Sequence, residues 1–162
     1  MKTPVSRRHF IKQSTAASAV AAITFPSILH AKDTQKKITV GVVGLSRGIG
    51  HLRKYMEESN CEVAYACDVD DRRIASGLNI SKDYLKKFPQ TKDPKGVNDF
   101  QRILDDKSID AISIAMPNFW HTTAAIRAMQ AGKHVYVEKP GSQNSREAEL
   151  LVAASRKYKK KV

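Results

Sequence analysis

A glycine-rich segment, GLSRGIG at residues 44–50, directly follows an apolar run that begins at Ile38. Glycines at such a place let the backbone turn tightly and approach a pyrophosphate, whose charge then lies at the positive end of the next helix. The spacing is GxxxGxG rather than GxGxxG. Alone, this pattern also fits a helix start that binds no ligand. The residues predicted to form a phosphate-binding turn are Gly44, Ser46, Arg47, Gly48 and Ile49.

An acidic residue ends the next strand-like run. Asp68 lies 24 residues after Gly44, near the position where a carboxylate binds the ribose hydroxyls of a dinucleotide and repels a 2′-phosphate. This position favours NAD as the cofactor. Arg72 and Arg73 follow closely, and because a guanidinium could bind the extra phosphate, NADP stays an alternative.

Two further polar clusters follow later strand-like runs. AMPNFWH at residues 115–121 contains Pro117, Asn118 and His121, and VYVEKP at residues 135–140 contains Glu138 and Lys139. Both clusters fall where strands end, which is the edge at which open parallel sheets bind ligands. Taken singly, each residue also has a structural interpretation, for example a helix cap, a first-turn histidine or an ordinary loop lysine.

Together, AGKHVYVEKP, AMPNFWH and the glycine turn resemble the glucose-fructose oxidoreductase, inositol dehydrogenase and rhizopine catabolism family of NAD(P)-dependent oxidoreductases. The resemblance extends from about Ile38 to Tyr158, and the EKP segment at residues 138–140 is its most specific part. The glycine turn departs from the family pattern, since Ser46 replaces a glycine.

The resemblance implies hydride transfer between a hydroxyl-bearing carbon of a sugar or polyol and the nicotinamide. It implies that Lys139 is catalytic, beside the nicotinamide and the substrate hydroxyl, and that Glu138 and Pro140 fix its turn. It also implies that Pro117, Asn118, His121, Glu138 and Lys139 contribute to the cofactor site. In the family, the principal acid/base histidine, substrate recognition and oligomer contacts belong to a second domain, so a full-length parent is expected to be a homo-oligomer.

Strand-like and helix-like runs alternate from Lys36 onward, which predicts an α/β fold with a doubly wound parallel sheet of the Rossmann type. The proline-containing stretch at residues 89–96 predicts a loop. Predicted strands span 38–43, 62–68, 111–115 and 134–137; predicted helices span 48–59, 70–88 with an interruption at Gly77 and Asn79, 99–104, 120–131 and 145–158.

The sequence stops after the predicted final helix, where a six-stranded doubly wound sheet would enter its next strand. We therefore predict that residues 37–162 are an incomplete dinucleotide-binding domain without its last strand or substrate domain. The expected activity belongs to a full-length parent. The chain itself is expected to bind NAD weakly, if at all, and to turn nothing over.

Residues 1–31 have the anatomy of an export signal: a basic start, an apolar run at residues 15–29 and a short polar end. SRRHFIK at residues 6–12 resembles the twin-arginine signal. The apolar run is shorter than the roughly 20 residues of a membrane-spanning helix, so stable membrane insertion is not expected. We predict cleavage after Ala31, a linker at residues 32–36 and a periplasmic location.

The net charge of +12 is concentrated at the two ends of the sequence. Four basic residues lie in residues 1–31 and five in residues 156–162, with no acidic residue in either segment, so the 124 residues between them carry only +3. This distribution argues against a nucleic-acid-binding face. Cys61 and Cys67 lie six residues apart, at the entry of one predicted strand and within it, which is too far for them to pair. No Cys/His cluster predicts a metal site.

Three alternatives stay open. Some members of the family are NAD-dependent glycosidases that retain their cofactor, although these often lack the lysine corresponding to Lys139. A non-catalytic nucleotide-binding module is the second alternative, and a nucleic-acid binder the third. A short-chain dehydrogenase is excluded because Tyr136 is followed four residues later by Pro140 rather than by lysine.

Overall fold

The computed structural model describes residues 37–90 and 93–162, so the predicted export signal lies outside the described residues. Its centre is a sheet of five strands, all parallel, in the order β3-β2-β1-β4-β5. The strands are β1 (Ile38–Val43), β2 (Cys61–Cys67), β3 (Lys95–Val97), β4 (Ala111–Ile114) and β5 (His134–Val137).

Helices connect the strands, and the predicted doubly wound α/β fold is confirmed. The chain runs outward from β1 through β2 to β3, then crosses back to β4 and β5. The direction of winding therefore reverses between β1 and β4, the point where such sheets open a crevice for ligands. The helices are α1 (Gly48–Glu57), α2 (Asp71–Leu85), α3 (Gln101–Asp105), α4 (His121–Gln130) and α5 (Ser145–Tyr158), with a 3₁₀ turn at Asn118–Trp120 before α4.

The sheet is covered on both faces. Val42 and Val43 are consecutive residues of β1, yet both are buried and belong to different apolar clusters, because successive side chains of a strand point to opposite faces. One cluster joins β1 and β2 to α1 and α2, and the other joins the sheet to α3, α4 and α5. Burial on both sides explains the nearly continuous apolar character of β1.

The predicted interruption of the third segment at Gly77 and Asn79 is wrong, since α2 runs unbroken from Asp71 to Leu85. Gly77 is buried, and a Cβ atom there would lie 3.2 Å from Cδ1 of Leu45. The glycine thus lets α2 approach the turn after β1. Asn79 lies on the exposed side of the helix, where packing on the opposite face outweighs its weak helix propensity.

The predicted loop at residues 89–96 is wrong at its end, because Lys95 and Gly96 belong to β3. This strand is three residues long, lies at the edge of the sheet and pairs in parallel with Tyr65, Ala66 and Cys67. It has no alternating apolar pattern, so its backbone pairing is visible only in the folded chain.

On the other edge, the N–H of Val135 in β5 donates to the carbonyl of Lys161 at 2.9 Å. The backbone at Lys161 therefore lies beside β5, where the sequence predicts entry into a further strand. Among the described residues, none of the helices has the length and apolar character needed to cross a membrane.

Candidate cofactor site

A cavity of about 920 Å³ opens at the carboxyl edge of the sheet, bounded by the ends of β1, β2, β4 and β5. This edge includes the reversal point between β1 and β4. Most of the predicted site residues line the cavity: Gly44, Ser46, Arg47, Asp68, Pro117, Asn118, His121, Glu138 and Lys139.

Gly48 and Ile49 do not line this cavity. A Cβ atom on Gly48 would lie 3.2 Å from Cγ1 of Val42, so this glycine lets α1 pack closely on β1. Ile49 packs against the apolar cluster between the sheet, α1 and α2. Gly48 and Ile49 therefore stabilise the turn by packing rather than by lining the cavity.

Gly44 is the glycine that the turn requires most strongly. Its φ is +87°, and a Cβ atom would lie 2.5 Å from the carbonyl oxygen of Ala115. The turn begins in contact with the end of β4, and only glycine combines this close approach with a left-handed backbone. Gly50, in contrast, has open space around its Cα.

The turn presents backbone donors at the start of α1. The N–H groups of Ser46 and Arg47 have no hydrogen-bond partner within the described residues. The first turn of α1 contains no acidic residue, and no side chain caps it. Unpaired N–H groups at the positive end of a helix bind anionic groups such as a pyrophosphate.

Asp68 anchors this turn while lining the cavity. One of its carboxylate oxygens accepts the N–H of Leu45 at 2.7 Å, and the other accepts the N–H of Asp70 at 3.0 Å. Each carboxylate oxygen has a second lone pair, so the group keeps acceptor capacity for hydroxyl groups in the cavity.

The two arginines after Asp68 differ in position. Arg72 forms hydrogen bonds to the Asp70 carboxylate, which hold the pKa of Asp70 below its usual range, and its side chain is 92% exposed. Arg73 lines the cavity and lies 4.0 Å from the same carboxylate. Of these two arginines, Arg73 is therefore the one placed to contact a cofactor phosphate.

The loop that carries Lys139 is held from the side of α1. The Glu138 carboxylate lies 2.9 Å from Nε2 of His51 and accepts the N–H of Lys139 at 3.2 Å. The hydrogen bond from His51 is the main cause that lowers the pKa of Glu138 below its usual range. Lys139 itself is exposed and is joined to Pro140 by a cis peptide bond.

The same loop is held from the side of α4. His121 is buried, with Nδ1 2.7 Å from the carbonyl oxygen of Pro140 and Nε2 2.8 Å from that of Met116. The hydroxyl oxygen of Thr122 lies within hydrogen-bond distance of two acceptors, the carbonyl oxygen of Gly141 at 3.2 Å and Oε2 of Glu147 at 3.1 Å. The His121 ring thus contacts the two loops that follow β4 and β5, and its nitrogens are engaged by backbone rather than exposed to solvent.

Asn118 opens the 3₁₀ turn before α4, and the structure shows no side-chain cap on that helix. Capping therefore does not account for Asn118, which lines the cavity beside Trp120. Trp120 is the single tryptophan of the chain and is 48% exposed.

Sequence reasoning missed several residues that complete the site: His51, Thr122 and Trp120. Trp120 lies within the predicted AMPNFWH segment and could have been included because of its place at a strand end. His51 and Thr122 act through contacts with residues 87 and 19 positions away, which no local pattern encodes.

The arrangement fits a dinucleotide. The cavity has unpaired N–H donors at one helix start, a carboxylate at the end of β2 and an exposed lysine at the end of β5. Within the described residues, no group of three or more His, Cys, Asp or Glu side chains could hold a metal ion.

Comparison with known proteins gives the family. Residues 38–162 match the Gfo/Idh/MocA family model, described as an oxidoreductase family with an NAD-binding Rossmann fold. The chain is 29% identical over 152 residues to glycosyl hydrolase family 109 protein 2 of Shewanella sp. (strain ANA-3), covering 83% of this chain and 33% of that protein. It is 28% identical over 127 residues to inositol 2-dehydrogenase of Salmonella paratyphi B, covering 77% of this chain and 35% of that protein.

Among solved structures, the fold is similar to that of KijD10, a 3-ketoreductase from Actinomadura kijaniata in complex with NADP and TDP-benzene. The TM-score is 0.61 at 26% identity, with 76% of this chain and 35% of that chain covered. The chain thus spans about a third of the length of the relatives that it matches. Since the family model covers nearly all of the described residues, the chain belongs to the Gfo/Idh/MocA oxidoreductase family, as its NAD-binding Rossmann domain.

Proposed function

We propose that this chain is the cofactor-binding part of an exported NAD(P)-dependent oxidoreductase that transfers hydride between a hydroxyl-bearing carbon of a sugar or polyol and the nicotinamide. The observation that carries the proposal is that Lys139 lines the same cavity as the Gly44 turn and Asp68. A phosphate site, a ribose site and a reactive lysine along one sheet edge are what such a reaction requires.

Cofactor binding is assigned to the turn and to the end of β2. The N–H groups of Ser46 and Arg47, together with the positive end of α1, would hold the pyrophosphate. Asp68 would bind the adenosine ribose, because its carboxylate has lone pairs left for hydroxyl groups. Charge repulsion at Asp68 favours NAD, while Arg73 offers a contact for the phosphate of NADP.

The nicotinamide, when bound, supplies the hydride acceptor, and the role of Lys139 is electrostatic. Its amino group has no hydrogen-bond partner among the described residues, so it is free to contact a substrate hydroxyl. A positive charge there stabilises the oxyanion that develops as the hydroxyl proton leaves. His121 cannot serve as the base while both its ring nitrogens contact backbone carbonyls, so proton removal is assigned to a second domain of the full-length parent.

Calorimetric titration of this chain with NAD and NADP tests the binding step. We expect weak binding with a preference for NAD and a rise in melting temperature, and no NADH formation with any polyol. The absence of both heat and thermal shift with either cofactor would favour a non-catalytic module. Steady NADH formation by the 162-residue chain would contradict the assignment of proton removal to another domain.

A test of the catalytic step requires a longer protein that includes the proposed second domain. There, Lys139→Met is expected to lower kcat for polyol oxidation by about a hundredfold or more while changing the NAD dissociation constant only a few-fold. Equal kcat for the variant and the wild type would remove Lys139 from the chemistry.

An NAD-dependent glycosidase is the second candidate, favoured by the similarity to glycosyl hydrolase family 109 protein 2. Such an enzyme oxidises, eliminates and re-reduces with a retained cofactor. In the longer protein, the glycosidase and dehydrogenase activities can be distinguished by their products. Release of nitrophenol from a nitrophenyl glycoside without net NADH formation indicates the glycosidase, and NADH formation with a free polyol indicates the dehydrogenase.

Export by the twin-arginine route is supported by SRRHFIK at residues 6–12. Replacing Arg7 and Arg8 together by lysine is expected to abolish appearance of the protein in the periplasmic fraction, with Lys2→Arg as the matched control. Unchanged periplasmic recovery of the double variant would exclude this route.

A further inference from the structure

His51 is fixed between three elements of the described chain. It lies in the first turn of α1, with Nδ1 2.8 Å from Oγ of Ser113 on β4 and Nε2 2.9 Å from Oε1 of Glu138 after β5. The His51 and Glu138 side chains are 14% and 16% exposed, and Ser113 is fully buried. The ring of Tyr136 meets the imidazole edge-on at 5.3 Å. The histidine therefore has one defined orientation.

The hydrogen bond between His51 and Glu138 has a defined direction. The pKa of Glu138 lies below its usual range, first because of His51 and then because of the Lys139 N–H, with a contribution from the charge of Arg47. A carboxylate only accepts hydrogen bonds, so Nε2 of His51 carries the hydrogen. The Ser113 hydroxyl can donate to Nδ1, which leaves no ring nitrogen unsatisfied in the neutral imidazole.

Glu138 transmits this restraint to the turn at Lys139. Its Oε2 atom accepts the N–H of Lys139 at 3.2 Å, and its own N–H donates to the carbonyl of Ile114 at 2.9 Å. The side chain of Glu138 is thus folded back onto the backbone that follows it. His51 does not line the cavity, whereas Glu138 and Lys139 do, so the contact with Glu138 is the one that links the His51 side chain to the cavity wall.

We infer that His51 is a positioning residue for Lys139: by holding the Glu138 carboxylate against the Lys139 N–H, it fixes the turn that keeps Lys139 in the wall of the cavity. The inference rests on the proposed function only where it concerns cofactor affinity. Without His51, the Glu138 carboxylate gains rotational freedom and prefers water, and the Lys139 backbone loses its side-chain acceptor.

Two amide substitutions separate the two hydrogen bonds of the ring. The side-chain amide of His51→Gln reaches the level of Nε2 and keeps a donor for Glu138. The shorter amide of His51→Asn reaches the level of Nδ1 and keeps a partner for Ser113. Each variant loses one of the two contacts, so the pair is matched for general effects on stability.

The first readout uses the chain without cofactor: the chemical shift and hydrogen-exchange rate of the Lys139 amide in ¹H–¹⁵N spectra. The second is the dissociation constant of NADH from its fluorescence. We expect His51→Gln to match the wild type in both readouts. We expect His51→Asn to shift the Lys139 amide, speed its exchange and weaken NADH binding about tenfold, as for loss of one charge-assisted hydrogen bond.

The inference is overturned if both variants change the Lys139 amide equally, or if His51→Asn leaves it unchanged. If the wild type binds no NADH, the proposed function fails while the amide readout still decides the role of His51. If neither variant folds, the ¹⁵N spectrum of the wild-type ring decides: a protonated Nε2 supports the inference, and a bare Nε2 overturns it, because two acceptors would then face each other.

Discussion

The backbone N–H of Leu45 donates to the carboxylate of Asp68 at 2.7 Å, which joins the turn after β1 to the end of β2. The second carboxylate oxygen accepts the N–H of Asp70. One side chain thus shapes the proposed phosphate-binding turn and borders the proposed ribose site. Loss of its charge is therefore expected to change both the stability of the turn and the choice of cofactor.

Asp68→Asn tests this double role. The amide keeps one acceptor oxygen but places an NH₂ group against one of the two backbone donors, at a cost of about 1–3 kcal/mol in the free energy of unfolding. Removal of the negative charge should narrow the preference for NAD over NADP. Urea denaturation and paired titrations with both cofactors measure the two effects, and unchanged values in both would contradict the role.

Cofactor choice is also expected to depend on Arg73, which lines the cavity. Arg73→Ala is expected to weaken NADP binding about tenfold while leaving NAD binding nearly unchanged, because it removes one charged contact to the 2′-phosphate. Arg72→Ala is the matched control, since its side chain is 92% exposed and paired with Asp70. Equal effects of the two substitutions would show that Arg73 does not contact the phosphate.

Two glycines of the glycine-rich segment at residues 44–50 provide a second matched pair. Gly44→Ala is expected to destabilise the fold by about 3 kcal/mol or more, because φ is +87° and the new methyl group would lie 2.5 Å from the carbonyl oxygen of Ala115. Gly50→Ala lies within α1 in open space and is expected to stabilise it by about 0.5–1 kcal/mol. Thermal and urea unfolding measure both, and a neutral Gly44→Ala would contradict the geometry.

Sequence patterns between neighbouring residues predicted the elements that depend on neighbouring residues. The apolar run of β1 and the alternation of strands and helices predicted the parallel sheet, and the polar residues after strand ends predicted a shared edge. The interruption predicted at Gly77 is absent because this glycine serves close packing against Leu45, a contact between α2 and the turn after β1 that no local pattern encodes. β3 is recognisable only by its pairing with β2, and His51 only by its contacts with β4 and β5.

The single tryptophan makes cofactor binding directly observable. Trp120 lines the cavity at the end of β4 and is 48% exposed. NADH binding is expected to quench its fluorescence and to transfer excitation energy to the reduced nicotinamide. Trp120→Phe should abolish the signal while NADH still binds by calorimetry. Calorimetric binding without any change in tryptophan fluorescence would place the cofactor elsewhere.

The two cysteines are expected to differ in reactivity. Burial, with smaller contributions from Asp68 and Asp99, raises the pKa of Cys67 to about 12. Burial also raises the pKa of the half-buried Cys61. At pH 8 the thiolate fraction of Cys67 is on the order of 10⁻⁴. In the native chain iodoacetamide should therefore modify Cys61 slowly and Cys67 hardly at all.

The same shift predicts how stability depends on pH. Because the folded pKa of Cys67 lies above the unfolded value of about 8.5, its contribution is fully present below pH 8.5 and is lost as pH rises towards 12. Cys67→Ser is expected to remove this dependence of the free energy of unfolding on pH. Cys61→Ser leaves Cys67 as the one remaining cysteine, so its contribution can be measured alone. Urea midpoints between pH 8 and 10 measure the stability.

Mass spectrometry after alkylation, with and without urea, measures the reactivity of each cysteine. Rapid native alkylation of Cys67 would contradict the burial of its side chain at the carboxyl end of β2.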